Sequence, residues 1–467
     1  MKGHSGWGYR PYRPVLFHKE AELPFVTRLA PGETGIELEI IDNGAPEAKH
    51  VLCLREKDSE AQEKRIAFEG IVTRADGLVT ETDYELWVER AEDASARSAV
   101  RYARTGFVPG TVVNYVHPED EIYLFSGYSP ASPSLVKLPS GALLASMDLY
   151  KGGYPQKLSL IYRSDDNGAT WRYVTDVYPC FWGTLFMHRG RLYLLGLSTE
   201  YGDILISEST DEGLTWAAPS VLFRGSVSVK GYGPQRAPMP ITEIRGRLYT
   251  SIEFGSWTMM RKFYNGILSV DADADLLVPE NWHFSDMIQY DETWPGAPEG
   301  VQGVLLEGCL VEAPDGRILD ILRMQTLSQP PVKEIAGALR VNEDDPDAAP
   351  TFDSFIALPT GSNSKTCIRR DPVTGRYWAM GNLPGESATQ RSILALLWSD
   401  DLVSWHTAKV LLDYSHLPAS KTGFQYPVFL FDGEDIIYLS RTAFNGAASF
   451  HDANYQTFHR IPNFRSL

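Results

Sequence analysis

The 467-residue chain carries 60 Asp and Glu against 43 Lys and Arg, a formal net charge of −17. Such a surface repels nucleic acid and anionic membrane unless a basic run reverses it locally, and the sequence holds no such run. With 43% hydrophobic and 22% charged residues the composition is that of a globular protein, and the length suits two domains better than one core.

Taken in order, Met1 to Trp7 lack an apolar leader core. No stretch approaches the roughly 18 apolar residues of a membrane span, so the expected location is cytoplasmic. Residues 1–108 alternate in short runs, Gly35 to Ile41, His50 to Leu54, Arg65 to Ile71 and Tyr84 to Ala91, separated by Gly, Pro, Asp and Asn. That pattern predicts half-buried strands of a small β-sandwich. Leu78 to Leu86, read as a late strand-turn-strand with Tyr84 buried, resembles a fibronectin type III domain. Phe107 to Gly110 is the expected linker. The cysteines Cys53, Cys180, Cys309 and Cys367 show no C-x-x-C spacing and no adjacent His, and read as buried thiols, with Cys309 and Cys367 as candidate neighbours.

Over residues 109–467 one signature recurs six times: an apolar strand, a turn that usually carries Gly, and a second apolar strand. The copies are Ser134 to Ala145, Leu185 to Leu195, Ile241 to Ile252, Leu310 to Leu322, Ile368 to Met380 and Val428 to Leu439. Between them Ser164-Asp165-Asp166-Asn167-Gly168-Ala169-Thr170-Trp171 returns 45 residues later as Ser209 to Trp216, both S-x-D-x-G-x-T-W. A carboxylate that accepts backbone N–H groups and a Gly at positive φ make a tight turn of each. Ser399 to Trp405 is a degraded copy.

These octapeptides resemble the Asp boxes, or bacterial neuraminidase (BNR) repeats, of the sialidase superfamily. The resemblance implies a β-propeller of four-stranded blades with the boxes on outer hairpins, remote from any active site. Six repeats predict a six-bladed propeller, with seven blades as the alternative if Val112 to Val116 begins another. The preferred reading is that this segment closes the ring against the C-terminal strands.

In such a ring, the loops leading into the innermost strands and those joining each second and third strand open at one end of the axis. This selects His451, Glu253, Glu307, Asp148 and Tyr455 as candidate catalytic residues. Arg236, Arg323, Arg441, Tyr154, Tyr201, Trp182, Lys365 and Gln425 are selected for substrate binding. Carboxylates, arginines and aromatics together suit a sugar site. Sialidases carry an Arg-Ile-Pro motif, an aspartate acid, a tyrosine nucleophile with a glutamate partner, and further arginines. Here Arg236-Ala237-Pro238 is the nearest string to that motif. The resemblance offers Asp148 as acid, Tyr455 or Tyr426 as nucleophile and Glu253 or Glu307 as partner. The expected function is an exo-acting glycoside hydrolase removing a terminal acidic or deoxy sugar. The alternatives are a uronate lyase, similar to propellers that cleave rhamnose-capped glucuronate, with His451 as base, and a non-catalytic glycan-binding propeller. A carbohydrate is the expected partner, and no oligomeric state follows. No cofactor and no metal cluster are implied, although Asp271 to Asp275 could hold a structural calcium.

Overall fold

The computed structural model describes residues 22–60, 62–226, 231–258, 262–327, 331–387 and 389–467. The N-terminal segment Met1 to Trp7 lies outside them. Helical structure among the described residues is confined to short 3-10 turns, Pro279–Asn281 and Phe464–Ser466 among them, and every sheet is antiparallel.

Two sheets come first. Phe25–Pro31, Gly35–Ile41 and Val72–Asp76 form one. His50–Glu56 and Asp83–Arg90 centre the other, flanked by Lys64–Phe68, Asp93–Arg97 and Arg101–Arg104. Their alternating apolar positions, Leu38, Ile40, Leu52, Leu54, Leu86 and Val88, meet in a shared core. Of the strand-turn-strand expected over Leu78 to Leu86 only the second strand forms, within Asp83–Arg90; the residues before it turn, because the chain changes sheet there and cannot continue a ladder. Tyr84 is buried as expected, and its hydroxyl accepts the N–H of Val79 at 2.9 Å.

Six further sheets follow in sequence. The first is Ser129–Lys137, Leu143–Tyr150, Ser159–Ser164 and Arg172–Val177; the second is Phe181–His188, Arg191–Leu197, Ile204–Ser209 and Ser220–Phe223. In the third, Gly233–Gln235 and Thr242–Ile244 both pair with Arg247–Gly255, which pairs with Phe263–Asp271. Gly303–Glu312, Ile318–Thr326, Ala336–Arg340 and Thr351–Ile356 make the fourth; Cys367–Arg370, Tyr377–Asn382, Ile393–Ser399 and His406–Asp413 the fifth. The sixth joins Gly423–Asp432, Asp435–Ala443 and Tyr455–Ile461 to Thr111–Tyr115 from far upstream, with Val112 opposite Thr457. Each repeated hairpin of the sequence is the leading pair of one sheet. The strand Ser129–Lys137 packs against both Phe181–His188 and Gly423–Asp432, so the sixth sheet returns to the first.

The N-terminal sheets are fixed to this array by buried polar bonds. Arg28 donates through Nε to the carbonyl of Val113 at 2.7 Å, the N–H of Leu29 reaches Asn114 Oδ1 at 3.1 Å, and Arg101 pairs with Asp120 at 2.5 Å. The apolar core is continuous across the junction, from Leu38 and Leu86 to Phe424 and Tyr455.

The two octapeptides cap the hairpins between third and fourth strands. Asp166 Oδ1 accepts from Ser164 Oγ and from the N–H of Thr170, both at 2.8 Å, while its other oxygen takes Thr170 Oγ1 at 2.6 Å. Asp211 repeats the set with Ser209 and Thr215. Gly168 and Gly213 sit at φ +90 and +91, and Trp171 and Trp216 are buried behind them. In the degraded copy Leu402 takes the left-handed position at φ 66, and Asp401 still gathers the N–H groups of Val403 and Ser404. These donors hold the carboxyls of Asp166 and Asp211 below the ordinary value. A depressed carboxyl contributes stability above its unfolded value and loses it as pH falls through the folded one. Asp211→Ala is expected to lower stability by about 1 kcal/mol at neutral pH, the partly exposed carboxylate retaining some hydration, with the difference shrinking below about pH 4. Thermal melts of both proteins across pH check this.

Candidate active site

Four of the six leading strands carry the same irregularity. Their pairing register slips between Ala131 and Ser134, Phe181 and Thr184, Leu306 and Cys309, and Gln425 and Val428. At each slip one non-glycine residue is forced to positive φ: Ser132 (43), Trp182 (53), Glu307 (56) and Tyr426 (53). Such a conformation costs on the order of 1–2 kcal/mol, and a bulge re-aims the side chain out of the pleat. Register matters on the second strand too. The residue opposite the start of each bulge, or of the equivalent stretch, is polar in four sheets: Asp148 faces Ala131, Glu253 faces Gln235, Arg323 faces Leu306 and Arg441 faces Gln425. The two sets converge at one end of the leading strands.

The centre of the cluster is Tyr426, whose hydroxyl donates to Glu307 Oε1 at 2.8 Å, linking the sixth sheet to the fourth. The other oxygen of Glu307 lies 2.8 Å from Arg323 Nη1. Glu307's own N–H donates to Glu253 Oε1 at 2.5 Å. Guanidinium carbons of Arg441 and Arg391 stand 5.3 and 5.8 Å from the Tyr426 ring, and Lys365 Nζ is 5.9 Å from it. Burial and the neighbouring Glu307 carboxylate push the Tyr426 phenol above its ordinary value, opposed by Arg323, Arg391 and Arg441. Burial, followed by the negative charge of Glu307, drives Glu253 up to about 8, and burial drives Asp148 up to about 8. The Nε atoms of Arg323, Arg391 and Arg441 are all buried without a hydrogen-bond partner among the described residues. Buried donors of that kind are rare.

Arg441 leads to a second group. It donates to the carbonyl of His451, whose Nδ1 lies 2.9 Å from Asp452 Oδ1. Burial and then the Arg441 charge take His451 down to about 4, leaving the imidazole neutral. Tyr150 packs edge-on against His451 at 5.2 Å and lies 5.5 Å from Arg441. Asp452 continues to Lys151 Nζ at 3.7 Å, Lys151 sits on the Tyr128 ring, and Tyr128 shares a 2.7 Å hydrogen bond with Tyr154.

The other residues selected from sequence take supporting places. Asp148 accepts from Ser159 Oγ at 2.5 Å and from the N–H of Trp182 at 2.8 Å. Arg236 is fully buried and directs its Nη groups to Thr184, Thr250 and the Met239 carbonyl. Gln425 braces Arg391 and the Phe450 carbonyl. Lys365 Nζ donates to the Pro427 carbonyl at 3.3 Å. Tyr201 receives the N–H of Trp257 at 3.0 Å. Tyr455 is placed elsewhere, packed at a tilt of 52° on Tyr115 with ring centres 4.7 Å apart, on the side facing the N-terminal sheets. Sequence reasoning missed Arg391, supplied by the long connection after Asn382. Gln425 is selected for binding, whereas its neighbour Tyr426, one of the two tyrosines offered as nucleophile, is the bulged residue. Aligning Trp182-Gly183-Thr184, Glu307-Gly308-Cys309 and Tyr426-Pro427-Val428 on their shared positions separates Tyr426 from Tyr455.

Two further expectations can be located. Cys309 and Cys367 are buried and free, and Cys309 Sγ accepts the N–H of Ile368 at 3.2 Å. Within Asp271 to Asp275, Asp271 and Asp275 accept backbone N–H groups of their own turn and Asp273 pairs with Arg189. A cavity of about 870 Å3 occupies the opposite half of the leading strands, lined by Leu185, Met239, Leu310, Ile368 and Val428. Its rim charges Arg245, Glu312 and Arg370 are paired with one another, and neither Glu307 nor Tyr426 lines it.

No protein-family model matches the chain, and no curated protein sequence does. Among solved structures 224 chains match. An α-L-arabinanase of Penicillium chrysogenum, complexed with arabinobiose, is 14% identical with a TM-score of 0.51 over 77% of this chain and 99% of its own. The leech intramolecular trans-sialidase covers 97% of this chain and 93% of its own at 11% identity and TM-score 0.47. An α-L-arabinofuranosidase of Fusarium graminearum covers 75% and 97% at 13% identity and TM-score 0.46. The likeness to the arabinanase is one of fold, the all-β architecture of propeller glycosidases.

The raised carboxyls carry a thermodynamic consequence. Glu253, moved from 4.5 to about 8, favours the folded state fully below its unfolded value and loses that contribution as pH rises through the folded one. Wild-type stability is therefore expected to decline from about pH 5 to pH 8, on the order of 1 kcal/mol per pH unit from this group. Glu253→Gln, neutral throughout and still able to accept from Glu307, should flatten that slope in denaturant titrations at several pH values.

Proposed function

We propose that this chain is an exo-acting glycoside hydrolase, its six sheets being the blades of a propeller behind an N-terminal β-sandwich of fibronectin type III type, and its substrate a terminal acidic sugar. The observation that carries the reading is the Tyr426–Glu307 contact at 2.8 Å, set among arginines whose buried Nε donors have no hydrogen-bond partner among the described residues. A phenol is a poor nucleophile at its ordinary pKa, and a carboxylate accepting its proton makes it an effective one. In this reading the Tyr426 oxygen attacks the anomeric carbon while Glu307 takes the phenolic proton, and Arg323 holds Glu307 in place. Arg391 and Arg441 then receive the anionic substituent of the sugar, for which a planar fork of donors suits a carboxylate. The S-x-D-x-G-x-T-W turns, read as Asp boxes, stand apart from this chemistry. The charge of the arginines favours the acidic sugar over the deoxy one.

A second reading rests on His451. Its imidazole is neutral and beside Arg441, which suits a base removing the proton α to a uronate carboxylate while the guanidinium steadies the negative charge. The two reactions leave different products, a reducing sugar in one case and an unsaturated uronate in the other.

Synthetic sialosides and glucuronides, with ultraviolet absorbance of any unsaturated product followed in parallel, separate the readings. Tyr426→Phe and Glu307→Gln are expected to lower kcat by about 10³-fold or more without loss of folding. Arg391→Met should raise KM for the acidic sugar more than tenfold, since an ionic hydrogen bond contributes about 1.5–3 kcal/mol. Wild-type turnover in both Tyr426→Phe and Glu307→Gln on a cleaved substrate would refute the reading.

A further inference from the structure

The leading strands carry the Tyr426 cluster near their first residues and run away from it to Lys137, His188, Ile244, Glu312, Arg370 and Asp432. Around their far halves lies the cavity of about 870 Å3, with residues of all six sheets in its wall. Leu185, Met239, Leu310, Ile368 and Val428 give that wall an apolar surface. Two of its hydroxyls are already committed: Ser134 Oγ accepts the N–H of Leu185 at 2.9 Å, and Thr184 Oγ1 accepts from Arg236 at 2.8 Å. An apolar cavity holds water poorly and takes apolar ligands instead.

The charged residues of the wall gather at the strand ends, and all but one stand against an opposite group. Lys137 pairs with Asp432 at 2.5 Å, Arg245 and Arg370 share Glu312 at 2.7 and 3.5 Å, Asp371 pairs with Arg465 at 2.7 Å, and Glu243 lies 3.7 Å from His188 Nδ1. The exception is Arg369, which lines the cavity, makes no ion pair among the described residues and has its Nε buried without a hydrogen-bond partner. Strand alternation is the cause. Ile368 and Arg370 share the face turned to the fourth sheet, where Ile368 packs with Cys309 and Val311 and Arg370 finds Glu312. Arg369 shares the other face with Cys367, which packs with Phe429 of the sixth sheet, and the wall residues there, Val428, Leu430 and Phe431, carry no charge. A buried donor without an acceptor costs free energy that a ligand supplying one recovers.

We infer that this cavity is a binding site for a small amphipathic carboxylate, an aliphatic or aryl acid whose anionic head accepts from Arg369 and whose apolar body lies along Leu185, Leu310, Ile368 and Val428. The planar donor fork of a guanidinium matches a carboxylate, and burial of the apolar body against an apolar wall supplies the rest of the affinity. The volume falls within the roughly 300–1,000 Å3 of small-molecule pockets. A single negative charge is the fit, because Arg369 is the one unpaired cation of the wall among the described residues and Glu243, Glu312 and Asp371 stand beside it at the strand ends. The site lies at the opposite end of the strands from Tyr426 and is independent of the reaction proposed there.

Isothermal titration calorimetry with octanoate, and with octan-1-ol as its uncharged counterpart, tests the assignment. The wild-type protein is expected to bind octanoate saturably with sub-millimolar affinity. Arg369→Met should weaken that binding about tenfold or more, as the loss of a charge-assisted hydrogen bond does, while octanol binds both proteins alike. Because Arg369 has no partner in the fold, the variant should melt as wild type does. Arg391→Met, changed at the other end of the strands, should retain the octanoate site. Absence of saturable binding at millimolar octanoate, equal affinity in wild type and Arg369→Met, a lowered melt in Arg369→Met, or loss of the octanoate site in Arg391→Met would overturn it.

Discussion

An extra residue in the leading strand of a sheet cannot be paired, and the chain absorbs it by turning that residue to positive φ. Glu307 and Tyr426 both stand at such a bulge, as do Ser132 and Trp182. A regular strand would alternate these side chains between the packed faces of neighbouring sheets, where a carboxylate and a phenol have no partners. The bulge instead points them along the strand end, into space shared by all the sheets. The backbone strain is held in place by paired ladders on either side, Gly303 to Leu306 and Cys309 to Glu312 about Glu307, and Gly423 to Gln425 and Val428 to Asp432 about Tyr426. Tyr426 and Glu307, 119 residues apart, meet at 2.8 Å only because two separate sheets make the same local departure.

Crowding charges at one point has an electrostatic cost, and the arrangement of partners shows how it is met. Arg323 neutralises Glu307, His451 and Lys151 share Asp452, and Arg391 and Arg441 face the Tyr426 ring. Asp148, Glu253 and Asp320, the last accepting from Ser251 Oγ at 2.7 Å, have no cation in contact among the described residues, and burial drives them up to between about 7 and 8. The result is a layer of neutral acids beneath a layer of ion pairs and cations. In the proposed reading an anionic ligand enters that upper layer, its charge completing the guanidinium donors instead of competing with an ionised carboxylate.

Rigidity comes from elsewhere in the chain. The strand Thr111–Tyr115 completes the sixth sheet, and the N-terminal sheets grip the same strand through Arg28 and Asn114. Tyr455 belongs to this junction, packed on Tyr115, which is why a polar residue in the last sheet lies away from the Tyr426 cluster. The S-x-D-x-G-x-T-W turns close the outer hairpins with side-chain hydrogen bonds and keep the buried tryptophans against the sheets.

The sequence by itself determined the strands and their hairpins, since apolar alternation broken by Gly-containing turns leaves little else for Leu310 to Leu322 or Val428 to Leu439 to become. It determined the octapeptide turns, whose hydrogen bonds are all local. It also brought forward Glu307, Glu253, Arg323 and Arg441, because a position relative to a strand end is a sequence property. What only the tertiary structure decided is which side chains meet. The choice of Tyr426 over Tyr455 depended on a one-residue bulge that inverts facing, and such a slip leaves no mark in hydrophobic periodicity. Arg391 enters from a connection with no regular pattern, and its place follows from contacts with Gln425 and Asn363 across sheets. The elevation of Glu253 and Asp148 is likewise a property of burial, set by what the fold packs around them.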